Sequence, residues 1–149
     1  MISDTEFQGM NALITGASRG IGAETAFAFG SRGAFTLIHY NSSQAGAADV
    51  LQRIQAEGGN GVLLQSDLSS LEGIHHMIKL VRQMGRSIDI LVNNAGSLIK
   101  RTPFLDFTED LWNQVFTLNL TSAFLITQAL LPGMLERKRG CIVNISYEY

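Results

Sequence analysis

Two spacings of hydrophobic residues alternate along the whole chain. Short apolar runs of roughly four to eight residues, typical of buried strands, are followed by longer segments in which apolar residues recur every three to four positions. Glycine, serine and asparagine separate the segments. The short runs predict five strands, at residues 11–15, 35–40, 62–65, 88–92 and 141–145.

The longer segments between these strands predict four helices. The first covers about residues 21–31, and the second lies between the serine pair 42–43 and the glycine pair 58–59. The third follows the serine pair 69–70, and the fourth is long, from 109 to about 139. Thr108 places a capping hydroxyl at the positive end of this long helix, and Glu109 and Asp110 add two carboxylates there.

A strict alternation of strand and helix indicates right-handed βαβ units and therefore a parallel sheet with helices on both faces. We predict a Rossmann-type doubly wound α/β fold with strand order 3-2-1-4-5. Residues 1–149 are expected to form a single nucleotide-binding domain, because a chain of 149 residues buries one core. Ligands of such sheets bind outside the carboxyl ends of the strands.

Charge and composition narrow the class of partner. The formal net charge is −2, and no dense stripe of lysine and arginine is present, so neither nucleic acid nor an anionic membrane surface is expected. The first residues are acidic where a signal peptide would be basic, and the single cysteine, Cys141, lies in a predicted strand as a small hydrophobic residue. A small-molecule ligand and a cytoplasmic location are expected.

Residues 115–135 form the most apolar long stretch of the chain. Polar residues and a proline interrupt it at Asn119, Thr121, Thr127, Gln128 and Pro132, and these would be costly against lipid. We therefore expect a buried helix of a soluble protein.

A glycine-rich turn follows the first strand. It comprises residues 15–22, Thr-Gly-Ala-Ser-Arg-Gly-Ile-Gly, and leads directly into the first helix. Glycines allow a tight turn and let backbone N–H groups approach an anion at the helix N-terminus. The spacing is not the usual G-x-G-x-x-G, so the turn could also simply reverse the chain. A pyrophosphate site is the functional alternative.

Three further motifs support the functional alternative. Asp67-Leu68 follows the third strand, Asn93-Asn94-Ala95-Gly96 follows the fourth, and Asn119 lies inside the long helix. Together with the pattern Thr-Gly-x-x-x-Gly-x-Gly, they resemble the short-chain dehydrogenase/reductase family along essentially the whole chain. The sequence as a whole most resembles the 3-oxoacyl-carrier-protein reductases and sugar dehydrogenases of that family.

The resemblance implies a nicotinamide dinucleotide as ligand. In similar proteins the turn holds the pyrophosphate, which implies contacts from Gly16, Ser18, Arg19 and Ile21. The Asp67-Leu68 motif would meet the adenine, through Asp67. Asn94, Ala95 and Gly96 would line the floor beneath the adenosine ribose and keep the first and fourth strands in register.

The end of the second strand bears on the choice between NADP(H) and NAD(H). NAD sites usually carry an acidic residue there, but residues 39–43 read His-Tyr-Asn-Ser-Ser. Without a carboxylate to repel a 2′-phosphate, Asn41 and Ser42 could contact it and Arg19 could pair with it. NADP(H) is favoured. Alternatively, Arg19 is a solvated charge and Asn41 a polar loop residue, and His39 is read as a strand-end residue.

The residues that would carry out hydride chemistry are mostly not found. The family uses a tyrosine as proton donor, a lysine four residues later, a serine and a helical asparagine. Only Asn119 corresponds. Residues 143–147 read Val-Asn-Ile-Ser-Tyr, so Tyr147 takes the place of the catalytic serine unless Ser146 replaces it by a one-residue shift. No Tyr-x-x-x-Lys occurs in these 149 residues.

Three functions remain open at this point. The first is the NADP(H)-binding portion of an oxidoreductase acting on a carbonyl or hydroxyl substrate, unable to transfer hydride alone. The second is a non-catalytic nucleotide-binding module that pairs with another chain, and the third is an enzyme completed by a partner. Family members continue with further strands, so an open fifth strand and an exposed flank of the helix at 118–131 predict a homo-oligomer or a partner chain, with marginal stability or aggregation as the alternative.

Overall fold

The five predicted strands form one parallel sheet. The computed structural model describes residues 5–146. The strands are β1 (Asn11–Ile14), β2 (Phe35–Tyr40), β3 (Asn60–Gln65), β4 (Ile90–Asn93) and β5 (Cys141–Asn144). Their order in the sheet is β3-β2-β1-β4-β5, and all four neighbouring pairs are parallel. The predicted fold class and strand order are confirmed.

Five helices connect the strands. They are α1 (Gly20–Gly30), α2 (Gln44–Ala56), α3 (Leu71–Gln83), α4 (Glu109–Phe116) and α5 (Ser122–Arg137). Ser70 caps α3 by accepting a hydrogen bond from the Gly73 N–H at 3.0 Å, and Thr108 caps α4 through the Leu111 N–H at 3.2 Å. Ser43 takes the N-cap position of α2 without a side-chain capping bond.

The sheet carries an apolar layer on each face because neighbouring side chains of a strand point to opposite sides. Ile14, Ile38 and Val92 belong to the cluster that includes buried residues of α1 and α2. Leu13, Leu37 and Leu91 belong to the other cluster, which includes buried residues of α3 and α5. The sheet is thereby packed between two helical layers.

The long fourth helix differs from the prediction in two ways. It is interrupted between α4 and α5 by a wide π-helical turn, Thr117–Thr121. It is also not buried: α4 has no buried residue, and in α5 only Ser122, Ile126 and Met134 are buried. The prediction of a buried helix is wrong because only one side of this helix meets α3 and the sheet.

The opposite side of the helix carries exposed large apolar residues in a row, which we call the apolar stripe. It comprises Trp112, Phe116, Leu120, Phe124, Leu131 and Leu135. By length and apolar composition the stretch Glu109–Arg137 could also cross a membrane. This is weak evidence for a membrane span, because core helices of soluble proteins meet the same criteria. The described part of the chain contains no element that covers the stripe.

Strand β5 lies at the sheet edge and is mostly exposed. Cys141 is exposed, so its predicted packing as a small hydrophobic residue is wrong although its place in a strand is right. The cysteine N–H donates to the Asp89 carbonyl at 2.8 Å, and Arg139 forms an ion pair with the Asp89 carboxylate at 3.3 Å. These contacts hold the start of β5 against β4.

Candidate functional site

A cleft of about 860 Å³ opens at the carboxyl ends of the central strands. Every residue predicted to contact the cofactor lines it: Gly16, Ser18, Arg19, Ile21, Asn41, Ser42, Asp67, Leu68, Asn94, Ala95 and Gly96. His39, Ser97, Ile99, Gln114 and Leu118 also line it and were not in the predicted set. The fold thus brings four separate sequence motifs to one place, as expected for a parallel sheet.

The glycine-rich turn forms the wall of the cleft beneath α1. Gly16 and Gly20 have φ values of +63° and +57°, a backbone conformation that favours glycine. A Cβ on Gly16 would lie 2.9 Å from the Ala95 Cα, whereas a Cβ on Gly20 would meet nothing within 4 Å. The space beside Gly20 is therefore open to a ligand at the N-terminus of α1, where backbone dipoles favour an anion. These residues fit a dinucleotide pyrophosphate.

Thr15 joins the turn to the loop after β4. Its hydroxyl accepts hydrogen bonds from the N–H groups of Asn94 at 3.0 Å and Ala95 at 2.9 Å. In return, the Asn94 side-chain amide donates to the carbonyls of Thr15 and Gly16, both at 3.0 Å. Thr15 and Asn94 are buried. We call these four bonds the Thr15–Asn94 latch, and it fixes two walls of the cleft relative to each other.

His39 supports the turn from β2. Its carbonyl accepts the Ala17 N–H at 2.7 Å, and its ring Nδ1 lies 3.0 Å from the Gly16 nitrogen. The ring Nε2 lies 3.1 Å from both the carbonyl and the hydroxyl oxygen of Ser66. Only 2% of the residue is exposed. His39 is thus a buried brace between the turn and the loop after β3.

Asp67 shapes the other end of the cleft. Its Oδ1 accepts hydrogen bonds from the Ser69 N–H at 2.9 Å and from the Ser69 hydroxyl at 2.7 Å. This local turn gives the carboxylate a defined position on an otherwise exposed loop. Leu68 beside it is buried in the core. Asn41 and Ser42, which line the cleft after the neighbouring strand β2, are exposed and uncharged.

Asn119 does not line the cleft but controls a residue that does. It lies in the π-helical turn between α4 and α5, and its side-chain amide donates to the carbonyls of Ser97 and Val115, each at 2.8 Å. Its Oδ1 accepts the Ser97 N–H at 3.1 Å. Asn119 therefore holds both backbone groups of Ser97, and π-helical turns are frequent at functional sites.

The loop beyond Ser97 is strained. Ile99 has φ +61°, a rare conformation for a β-branched residue, with a cost on the order of 1–3 kcal/mol. The Lys100 N–H donates to the Leu98 carbonyl at 2.6 Å and closes a tight turn around Ile99. Because Ile99 lines the cleft, the strain is stored at the candidate site.

The region of the expected catalytic serine is only partly visible. Ser146 is exposed just beyond β5, and Tyr147 lies outside the described residues, as does Tyr149. The Ile145 N–H donates to the Asn93 carbonyl at 3.0 Å, which extends the pairing with β4. Among residues 5–146, no group of three His, Cys, Asp or Glu side chains could hold a metal ion.

Sequence reasoning missed two supporting residues of the site. Thr15 was placed at the end of the first strand and the start of the glycine-rich turn without a role for its side chain, and His39 was read as a strand-end residue. A threonine directly before the first glycine was a usable signal for Thr15, because a hydroxyl can satisfy backbone N–H groups. No signal along the chain pairs His39 with Gly16, since they are 23 residues apart.

Acid is expected to destabilise the protein through His39. Burial lowers the pKa of His39 from 6.5 to about 4, although the Ser66 backbone and the Asp67 charge favour protonation. The unfolded chain then takes up a proton near pH 6.5 that the folded chain resists until about pH 4. Unfolding should therefore become easier by about 2 kcal/mol between pH 7 and pH 5 from this residue.

Urea unfolding of wild type and His39→Asn at both pH values measures this contribution. Asparagine does not titrate, so the variant should lose less stability on acidification than wild type. His76→Asn, on the exposed side of α3, serves as the control and should behave as wild type. Equal pH dependence of wild type and His39→Asn would contradict the prediction.

Comparison with known proteins agrees with this geometry. Residues 10–148 match the short chain dehydrogenase family. A 3-oxoacyl-[acyl-carrier-protein] reductase of Synechocystis is 38% identical over 135 residues, which cover 91% of this chain and 54% of that protein. The chain therefore spans about half the length of this relative.

Solved structures share the same fold. A metagenomic short-chain oxidoreductase in complex with NADP superposes with a TM-score of 0.87 at 34% identity, covering 96% of this chain and 64% of that one. A 3-oxoacyl-[acyl-carrier protein] reductase from Brucella melitensis with bound NAD gives 0.83 at 33% identity, covering 96% and 55%. With the glycine-rich turn, the latch and the strand order all in place, the chain belongs to the short-chain dehydrogenase/reductase family.

Proposed function

We propose that the cleft binds NADP(H) and that residues 1–149 are a single nucleotide-binding domain of a cytoplasmic oxidoreductase acting on a carbonyl or hydroxyl substrate. The observation that carries the proposal is the convergence of the glycine-rich turn, the Thr15–Asn94 latch and Asp67 on one cleft. Such a cleft at the carboxyl ends of parallel strands matches the position of dinucleotides in doubly wound folds.

The cofactor would lie across the strand ends, with its pyrophosphate at the turn. Ser18, Arg19 and Ile21 would face the pyrophosphate, since they line the cleft at the N-terminus of α1. The N–H of Gly16 is already bonded to His39, so Gly16 would contribute close approach through its Cα rather than a donor. Asp67 would contact the adenine, and Asn94 to Gly96 would lie beneath the ribose.

Arg19, Asn41 and Ser42 would decide the preference for NADP(H). No acidic side chain follows β2 in residues 41–43, so nothing there repels a 2′-phosphate. Arg19 is exposed and lines the cleft, where its guanidinium can form charge-assisted bonds with phosphate oxygens. The two related structures hold NADP in one case and NAD in the other. The preference therefore rests on these side chains.

The bound nicotinamide would supply or accept the hydride. Within these residues, Asn119 would position the substrate end of the cleft through Ser97, which it holds at both backbone groups. No tyrosine in the 149 residues has a lysine four positions later. We therefore expect this stretch alone to bind the cofactor without turning over a substrate.

NADPH titration of the purified chain tests the proposal. NADPH should bind in a saturable manner and more tightly than NADH. Arg19→Ala should weaken NADPH binding about tenfold, the loss of one charge-assisted interaction of about 1.4 kcal/mol with the 2′-phosphate, and should weaken NADH binding less, because NADH offers Arg19 only the pyrophosphate. Arg82→Ala, an exposed arginine of α3 outside the cleft, is the matched control. A folded chain that binds neither nucleotide would refute the function.

We also propose that this chain pairs with a second copy or with a partner chain, and the apolar stripe is the observation that supports this. Phe124 and Leu120 are each 60% exposed, and a contiguous apolar surface of this kind is unfavourable in water. The same surface favours the alternative function, a non-catalytic nucleotide-binding module that acts through its partner.

Charge introduced into the apolar stripe should dissociate the assembly. Phe124→Glu is expected to shift the mass measured by light scattering from dimer to monomer, because burying an unpaired carboxylate is costly. Gln52→Glu, on the exposed side of α2, controls for added charge. A wild-type chain that is monomeric at all concentrations would show that copies of this chain do not cover the stripe.

A further inference from the structure

The hydrogen bonds of His39 determine where its ring carries a proton. The Gly16 backbone nitrogen can only donate, so Nδ1, 3.0 Å away, must accept and therefore carries no proton. The Ser66 carbonyl can only accept, so Nε2, 3.1 Å away, carries the proton and donates. The two partners together select the neutral ring with its proton on Nε2. A doubly protonated ring could not accept the Gly16 N–H.

The same residue reaches two consecutive backbone groups of the glycine-rich turn. The ring accepts the Gly16 N–H and the His39 carbonyl accepts the Ala17 N–H, at 3.0 Å and 2.7 Å. Both N–H groups are thus bonded to His39 at the end of β2. The bonds orient the turn at its start and leave the following residues to face the cleft.

Few charged groups act on this ring. Asp67, on the loop after β3, is the charged residue whose field favours protonation of His39. The cation of the glycine-rich turn is Arg19, and its side chain is exposed to solvent. From β4, the neutral Asn94 and Ala95 face the turn through the latch. Burial of the ring opposes Asp67 and keeps the ring neutral.

We propose that His39 is a positioning residue for the dinucleotide: its neutral ring holds the Gly16 N–H and thereby presets the glycine-rich turn in its cofactor-binding conformation. This inference rests on the proposed nucleotide function. Without the acceptor, the partly buried Gly16 N–H would need another partner, and the turn would have to reorganise before it could receive a pyrophosphate. Affinity for the cofactor would fall because the binding-competent turn would be less populated.

Two substitutions of His39 separate positioning from general packing. Asparagine places an amide oxygen near the position of Nδ1 and can accept the Gly16 N–H, whereas leucine fills the space without an acceptor. NADPH should bind His39→Asn within about threefold of wild type and His39→Leu about tenfold or more weakly, the range expected for one unsatisfied N–H. Thermal melts without NADPH report any general loss of stability in each variant.

The ring itself can be observed in the uniformly ¹⁵N-labelled wild-type chain. The resonance that disappears in His39→Asn should show a proton on Nε2, none on Nδ1, and a coupling across the hydrogen bond to the Gly16 nitrogen. Both features should persist when NADPH is added. This measurement needs no destabilised variant, so it also decides the matter if His39→Leu does not fold.

The outcomes are distinguishable. Tight NADPH binding by His39→Leu, or a proton on Nδ1 of wild-type His39, would overturn the positioning role and leave the nucleotide function intact. Absence of NADPH binding by the folded wild-type chain would remove the nucleotide function and this inference with it. Rescue by asparagine but not leucine, with the expected ring signature, supports the inference.

Discussion

Gly73→Ala is expected to destabilise the protein by about 3 kcal/mol or more, because the new methyl group would overlap backbone that cannot move freely. Gly73 lies in the first turn of α3, where a Cβ would overlap the carbonyl oxygen of Asp67 and come within 2.7 Å of its carbonyl carbon. Urea unfolding measures the loss. Since Asp67 must shift, NADPH affinity should fall as well.

Gly133→Ala is the matched control, since Gly133 is also helical. A Cβ there would meet only the end of the Arg137 side chain, at 3.1 Å, which can move. Alanine is a better helix former than glycine, so this variant should be up to about 1 kcal/mol more stable than wild type. If Gly73→Ala were as stable as Gly133→Ala, the prediction that α3 packs too closely on the Asp67 backbone to admit a methyl group would be wrong.

Thr15→Val is expected to cost about 3 kcal/mol, because it removes the hydroxyl acceptor of two backbone N–H groups, one buried and one partly buried. Both groups, of Asn94 and Ala95, bond to the Thr15 hydroxyl, and Thr15 is 2% exposed. Urea unfolding measures the stability. NADPH titration should show weaker binding, because the loop at 94–96 is no longer tied to the turn.

Two variants isolate the hydroxyl group. Thr15→Ser keeps the acceptor and should cost about 1 kcal/mol, for one lost methyl group. Thr36→Val removes a hydroxyl that is equally buried on β2 but makes only long bonds, 3.4 and 3.5 Å, to carbonyl oxygens. It should cost about 1 kcal/mol or less. A Thr15→Val protein as stable as Thr36→Val would show that the latch contributes nothing.

These predictions show how the family fold and the candidate site depend on the same bonds. The latch joins β1 to β4 and also forms the cleft wall, and the His39 brace joins β1 to β2 in the same way. Substitutions that remove the hydrogen-bond acceptor, Thr15→Val or His39→Leu, should therefore change both stability and cofactor affinity. The Arg19 side chain is exposed, so its substitution should change cofactor affinity without changing stability.

Local patterns were sufficient for the strands and for a doubly wound parallel sheet, and the order 3-2-1-4-5 is the Rossmann order among the few topologies that such a pattern allows. Apolar runs and amphipathic spacing are properties of neighbouring residues, and the right-handed crossover then restricts the sheet to few topologies. Motifs that directly follow β1, β3 and β4 must meet at one edge of a parallel sheet. For this reason residues as distant as Ser18 and Asn94 could be placed in one cleft from their positions in the chain.

Other features depend on contacts between residues far apart in the chain. Hydrophobicity marked the helix at 115–135 as buried, but burial depends on what packs against each side, and only one side of α4 and α5 is covered in the described chain. In the π-helical turn, the side chain of Asn119 bonds to the backbone of Ser97, which is 22 residues away in the chain. The brace from His39 to Gly16 arises because β2 lies beside β1. Periodicity describes what each segment can bury, whereas hydrogen-bond partners across the sheet are defined only once the chain has folded.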